Sequence, residues 1–259
     1  RVLCVKSLVS QPTSPILNVR RAMKTETQLL LISSSFIPGG AGYLDYCSAD
    51  VLNFYRTVTR ILFIPYALKD RDAYAAKIAA HFDGSGFLVE SLHTAPDPRA
   101  AIENAEAFFV GGGNSFRLLD GLYELGVLHA LRNRVRAGAP YLGVSAGTNL
   151  ACPTIKTTND MPIVFPASLD ALSLIPFQIN PHFVDADPNS PPAHETREER
   201  IREFHEENSA PVLGLREGAW LEVAGSSVTL RGATGARLFQ RNAAPIDCAP
   251  NESLDSLLG

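Results

Sequence analysis

Short, continuous apolar runs alternate with stretches of helical periodicity over the first part of the chain. "LLLISSS" (29–35), "ILFIPYA" (61–67), "GFLVESL" (86–92), "AFFVGGG" (107–113) and "PYLGVS" (140–145) read as buried strands. Between them, "DRDAYAAKIAAHF" has Asp70 or Asp72 as a helix cap, and "DPRAAIENA" has Asp97 as cap with Pro98 in the first turn. Residues 114–138 predict two helices, interrupted near Gly121 and Gly126. Uninterrupted apolar strands separated by helices imply a mostly parallel sheet covered by helices on both faces.

Beyond Ser145 the pattern loosens. "LIPFQINPHF" and "VLGLREGAWLEVAGSSVTLRGATGARLFQ" predict further strands with hairpin-like turns, and "HETREERIREFHEEN" between them predicts a charged, exposed helix. No repeat or linker divides the chain, so residues 28–241 read as a single α/β domain. Residues 242–259 lack periodicity and are expected to form a loose tail. Residues 1–27 read as a leader outside the fold: the first 22 contain no Asp or Glu, and Met23 stands just ahead of the first strand.

Composition narrows the function. The 259 residues are 46% hydrophobic and carry a formal charge of −4, which gives no electrostatic reason to expect a nucleic-acid partner. No apolar run reaches the roughly 20 residues a membrane helix needs. Cys4, Cys47, Cys152 and Cys248 are scattered without metal-ligand spacing and read as structural thiols in a reducing cytoplasm.

"GVSAG" (143–147) carries the candidate chemistry. Gly143-x-Ser145-x-Gly147 at the end of a strand matches the nucleophile elbow, a tight turn that lifts a serine oxygen above the sheet. The turn also aims the Ala146 amide where an oxyanion would form. Gly111-Gly112-Gly113-Asn114 closes the preceding strand on the same edge and offers further amides; neither GxGxxG nor GxxxxGK[ST] is present. Of the six histidines, His81, His129 and His205 fall in predicted helices and read as surface residues. His93 precedes the glycine cluster by a full helix, and His194 opens the charged helix. His182, in a loop after "QINP", is the strongest candidate base. Asp160 and Glu217 are the two candidates to orient it, and the residues alone leave the choice open.

"FFVGGGNSFRLL", "GVSAGTNLACPTIKTTNDMPIV" and "INPHF", in this order and spacing, resemble the peptidase E (α-aspartyl dipeptidase) family from about residue 29 to about 240. The resemblance implies a class I glutamine-amidotransferase-like α/β fold with serine at the elbow. It also implies hydrolysis of dipeptides bearing an unblocked N-terminal aspartate, without metal or cofactor. Carried onto this chain, Ser145 is the nucleophile, His182 the base and Glu217 the preferred orienting acid, with Asp160 also kept. Gly113 and Ala146 supply the oxyanion amides, and Asn114 falls among the substrate-binding positions. A cation for the aspartyl side chain is expected at Arg197, with Lys156 and Arg216 as alternatives. The Pro-rich loop "VDADPNSPPAHETRE" is slightly longer than the family pattern. A cyanophycinase-like β-aspartyl peptidase and a catalytically silent binding protein are the rival readings. The expected partner is a small peptide; a homodimer stays open.

Overall fold

The computed structural model describes residues 26–187 and 195–259. Residues 1–25 of the expected leader, His194 and part of the Pro-rich loop lie outside the described residues.

The first half alternates strand and helix: β1 (Gln28–Ile32), α1 (Ser48–Phe54), β2 (Arg60–Ile64), α2 (Arg71–His81), β3 (Leu88–Ser91), α3 (Pro98–Glu103), β4 (Ala107–Val110). Then come α4 (Ser115–Glu124), α5 (Leu128–Arg136), β5 (Tyr141–Val144) and α6 (Ala146–Leu150). The second half holds β6 (Gln178–Phe183), α7 (Arg197–Glu207), β7 (Val212–Arg216), β8 (Ala219–Ala224), β9 (Ser227–Gly232), β10 (Ala236–Phe239) and β11 (Ile246–Cys248). Helix starts follow the caps: Asp70 accepts from the Ala73 amide at 2.9 Å and Asp97 from the Ala100 amide at 3.0 Å. Each such cap stabilises by about 1 kcal/mol.

Seven strands form one sheet in the order β3-β2-β4-β5-β1-β8-β9. The five from β3 to β1 are mutually parallel, and β8 and β9 add antiparallel. The inner parallel strands β2, β4, β5 and β1 are buried on both faces, while the edge strand β3 is partly exposed. Leu29, Leu31, Phe108, Val110 and Tyr141 pack with α3 to α6, whereas Leu30, Ile32, Phe109, Leu142 and Val144 pack with α1 and α2. Alternate residues of one strand therefore enter opposite cores, which explains the unbroken apolar runs.

The remaining strands form a second sheet, β11-β10-β7-β6, in which β6 and β7 are parallel. This split was not visible in the sequence. The tail expectation is corrected here: β11 pairs with β10, and the Leu254 amide donates to the Val228 carbonyl at 2.8 Å. Cys248, Leu254 and Leu257 are buried against the main core. Hydrogen bonding to β9 and β10, not periodicity, orders this segment. His205 is likewise buried rather than superficial, with its Nε2 3.1 Å from the Ala210 carbonyl oxygen.

Candidate active site

β5 ends where four backbone segments crowd together. A Cβ on Gly143 would stand 2.5 Å from the Gly147 carbonyl oxygen, and one on Gly147 would overlap the Val110 carbonyl oxygen. Any larger residue at either position would push α6 off the sheet. Ser145, between them, takes φ 52° and ψ −105°, a conformation non-glycine residues rarely adopt. The Ser145 amide donates to the Ile32 carbonyl at 2.9 Å. The Thr148 hydroxyl hydrogen-bonds the Ile32 and Gly143 carbonyl oxygens at 2.7 and 2.8 Å. Backbone strain of this kind costs about 1–3 kcal/mol and persists only where the surroundings impose it.

His182 belongs to β6, where a register shift between Pro181 and Phe183 leaves it as an extra residue at φ 54°. The bulge re-aims its ring out of the strand. A partly buried amide pair braces it: Asn159 Nδ2 donates to the Pro181 carbonyl at 2.7 Å, and Asn180 Nδ2 donates to Asn159 Oδ1 at 2.8 Å. These two asparagines were missed in the sequence. The usable signal was an amide inside an apolar strand, which must find a partner when buried.

Glu217 occupies the turn from β7 to β8, beside Gly218 at φ 85°. Its Oε1 lies 2.6 Å from His182 Nδ1, and His182 Nε2 lies 2.9 Å from Ser145 Oγ. Three residues from three strand ends thus form one continuous hydrogen-bonded chain. The geometry fits an imidazole that is held in one tautomer and accepts a proton from the serine.

Asp160 does not join this chain. Its Oδ2 accepts from the Ser115 amide at 2.7 Å and lies 3.0 Å from the Thr158 hydroxyl oxygen, at the N-terminus of α4. A carboxylate is favoured there by the unpaired amides of the helix start. Asn114 caps the same helix, accepting from the Arg117 amide at 3.0 Å, and its Nδ2 donates to the Met161 carbonyl at 2.8 Å. Its side chain is thus engaged in holding the Asp160–Met161 segment.

The glycine loop runs alongside the serine: a Cβ on Gly112 would lie 3.3 Å from Ser145 Cβ. Gly113, at φ 135°, follows directly, and Ala146 is the first residue of α6. The first amides of a helix have no intrahelical partner, so Ala146 N–H is available to an anion.

The candidate cations separate cleanly. Arg216 is committed, bonding Asp185 at 2.6 and 2.9 Å and Asp247 at 2.6 Å. This pairing raises the guanidinium pKa and holds Asp185 below its usual range. Lys156 Nζ donates to Asn208 Oδ1 at 3.2 Å. Arg197 opens α7, capped by Thr196, while its neighbours pair off as Glu195 with Arg200 and Glu198 with Arg202. Partial burial and the neighbouring Arg200 press its pKa down.

The described thiols are spectators. Burial pushes Cys47 and Cys152 up to about 12, and a thiol that stays protonated is a poor nucleophile. A cavity of about 890 Å³ between α1 and β8–β9 reaches Glu217, but neither Ser145 nor His182 lines it. Among the described residues no group of three or more His, Cys, Asp or Glu could hold a metal ion. No helix among them is long and apolar enough to cross a membrane.

A serine at the carboxyl edge of the doubly covered sheet, hydrogen-bonded to a histidine and a carboxylate carried by the second sheet, is the arrangement of a serine hydrolase on a fold of the glutamine-amidotransferase-like class. The chain belongs to Peptidase family S51, whose model matches residues 29–231. It is 51% identical over 230 residues to "Peptidase E" of Streptomyces coelicolor, covering 89% of this chain and 94% of that protein. It is 44% identical over 239 residues to "Probable alpha-aspartyl dipeptidase" of Drosophila melanogaster, covering 91% and 99%. Among solved structures, a peptidase from an acI-B1 Actinobacterium is similar in fold, with a TM-score of 0.64 at 15% identity, over 88% of this chain and 96% of that one.

Proposed function

We propose that this chain is a serine-type dipeptidase that releases an unblocked N-terminal aspartate from Asp-X dipeptides. The observation that carries the reading is the chain of hydrogen bonds from Ser145 through His182 to Glu217. Family membership and the names of the two relatives support the reaction class.

Ser145 Oγ attacks the peptide carbonyl carbon while His182 Nε2 takes its proton. Glu217 holds the imidazole through Nδ1 and stabilises the imidazolium that forms. The amides of Gly113 and Ala146 receive the negative charge on the carbonyl oxygen. His182 then returns the proton to the departing amine, which leaves an aspartyl ester on Ser145. Water, deprotonated by the same histidine, hydrolyses the ester and frees the serine.

The substrate brings one carboxylate and one ammonium group near the reacting carbon. Arg197 is the cation for the side-chain carboxylate, since Arg216 and Lys156 already have partners. Asp160, fixed by Ser115 and Thr158 next to the glycine loop, is the acceptor for the free α-amino group. Asn114 serves by anchoring that segment through Met161. The enzyme works in a reducing, cytoplasmic setting, in keeping with the free state of Cys47, Cys152 and Cys248.

The test is release of p-nitroaniline from aspartyl-p-nitroanilide, run beside the glutamyl, N-acetyl-aspartyl and β-aspartyl compounds. The reading requires cleavage of the free α-aspartyl compound alone. Cleavage of the N-acetyl or β-linked compound at a similar rate would overturn it.

A further inference from the structure

We infer that Ser33 is a positioning residue that locks His182 and the Glu217 turn into register. The inference rests on the reading of Ser145, His182 and Glu217 as the reacting groups. Ser33 directly follows β1 and is fully buried. Its Oγ accepts from the His182 amide at 2.9 Å and donates to the Leu215 carbonyl at 2.7 Å. Its own amide donates to the Ala219 carbonyl at 3.2 Å. Leu215 and Ala219 lie two residues before and two residues after Glu217, so one serine holds the acid-bearing turn from both sides. The preceding residue, Ile32, accepts from the Ser145 amide at 2.9 Å. Two consecutive residues at the end of β1 therefore touch the backbone around all three members of the catalytic chain.

The bulge in β6 explains why a hydroxyl is needed there. Pro181 pairs with Leu215 and Phe183 with Arg216, which leaves His182 no partner on β7. With φ at 54°, its amide points away from the ladder and must find an acceptor elsewhere. A serine hydroxyl has one proton to donate and lone pairs to accept with, and here both functions are used. Alanine would leave the His182 amide unpaired and free the β6 bulge to drift relative to the β7–β8 turn. The imidazole would then sit between Ser145 and Glu217 less accurately, and small misplacements at such a site cost about 100-fold in rate.

The test compares wild type with Ser33→Ala and Ser33→Thr on aspartyl-p-nitroanilide. It adds proton NMR of the downfield His182 Nδ1–H resonance, assigned by its loss in His182→Ala. Ser33→Ala should lower kcat by about 10–100-fold with KM within about twofold, because Ser33 touches neither Asp160 nor Arg197, the groups assigned to substrate. The downfield resonance should move or broaden, and Ser33→Thr, which keeps the hydroxyl, should restore most of kcat. A folded Ser33→Ala with unchanged kcat and resonance, or a folded Ser33→Thr no better than the alanine variant, overturns the assignment. If Ser33→Ala does not fold, Ser33→Cys takes its place with the same expectation, sulfur being a weak acceptor. If neither folds, Ser33 belongs to the core alone and the assignment falls. Ser145→Ala in the same assay separates the two claims: residual full cleavage there would overturn the catalytic reading itself.

Discussion

Glu217 and His182 meet through a 2.6 Å contact between Oε1 and Nδ1, although 35 residues separate them in the chain. Asp160, nearer in sequence to His182, instead serves the start of α4. The two acids should therefore fail in different ways. Glu217→Gln keeps the shape but loses the charge and the correct tautomer, so kcat should fall by about 10³–10⁴-fold. Asp160→Asn should raise KM by about 10–100-fold, the worth of one charged hydrogen bond, with a smaller change in kcat. Steady-state kinetics on the two variants checks both, and an equal kcat loss in each would contradict the division of roles.

Among the described residues no carboxylate pairs with Arg197, whereas Arg200 pairs with Glu195 and Arg202 with Glu198. Arg197→Ala should reduce kcat/KM for aspartyl substrates by about 10–100-fold while leaving the slow cleavage of asparaginyl analogues nearly unchanged. The ratio of the two specificity constants is the measurement. An unaltered ratio would remove Arg197 from the site.

The strain at Ser145 predicts a trade between stability and activity. Glycine tolerates φ 52° without a Cβ penalty, so Ser145→Gly should be more stable than Ser145→Ala by about 1 kcal/mol, although neither cleaves substrate. Thermal unfolding should show a Tm about 2 °C higher for the glycine variant. Equal melting temperatures would mean that the elbow is not strained.

Much of this architecture is legible along the chain, for identifiable reasons. Asp70 and Asp97 announce helix starts because their carboxylates bond the next turn, and Gly126 at φ 64° ends α4 as its position suggests. The elbow shows because Gly143 and Gly147 stand close in sequence around Ser145, where α6 packs tightly on β5 and on the neighbouring β4. The choice between Glu217 and Asp160 is not local. It depends on how β7 lies beside β6 in a second sheet, and nothing in the apolar pattern separates that sheet from the first. Ser33 escapes for the same reason, being one serine of "LISSS" until β6 and β7 arrive against it.

The final segment shows the same limit from the side of stability. Leu254 is 4% exposed and bonded through its amide to β9, in a stretch without sequence periodicity. Leu254→Ala should destabilise the fold by about 2–5 kcal/mol, visible as a lower denaturation midpoint. A change under about 0.5 kcal/mol would fit a loose tail instead.

During turnover Ser145 should carry the aspartyl group covalently. Quenching a reaction with an aspartyl ester in acid during the first turnovers, then mapping the digest by mass spectrometry, tests it directly. One aspartyl acyl group is expected on the peptide containing Ser145, absent when His182 is replaced by alanine. Turnover without any such adduct, together with a Ser145→Ala variant that still cleaves, would contradict it.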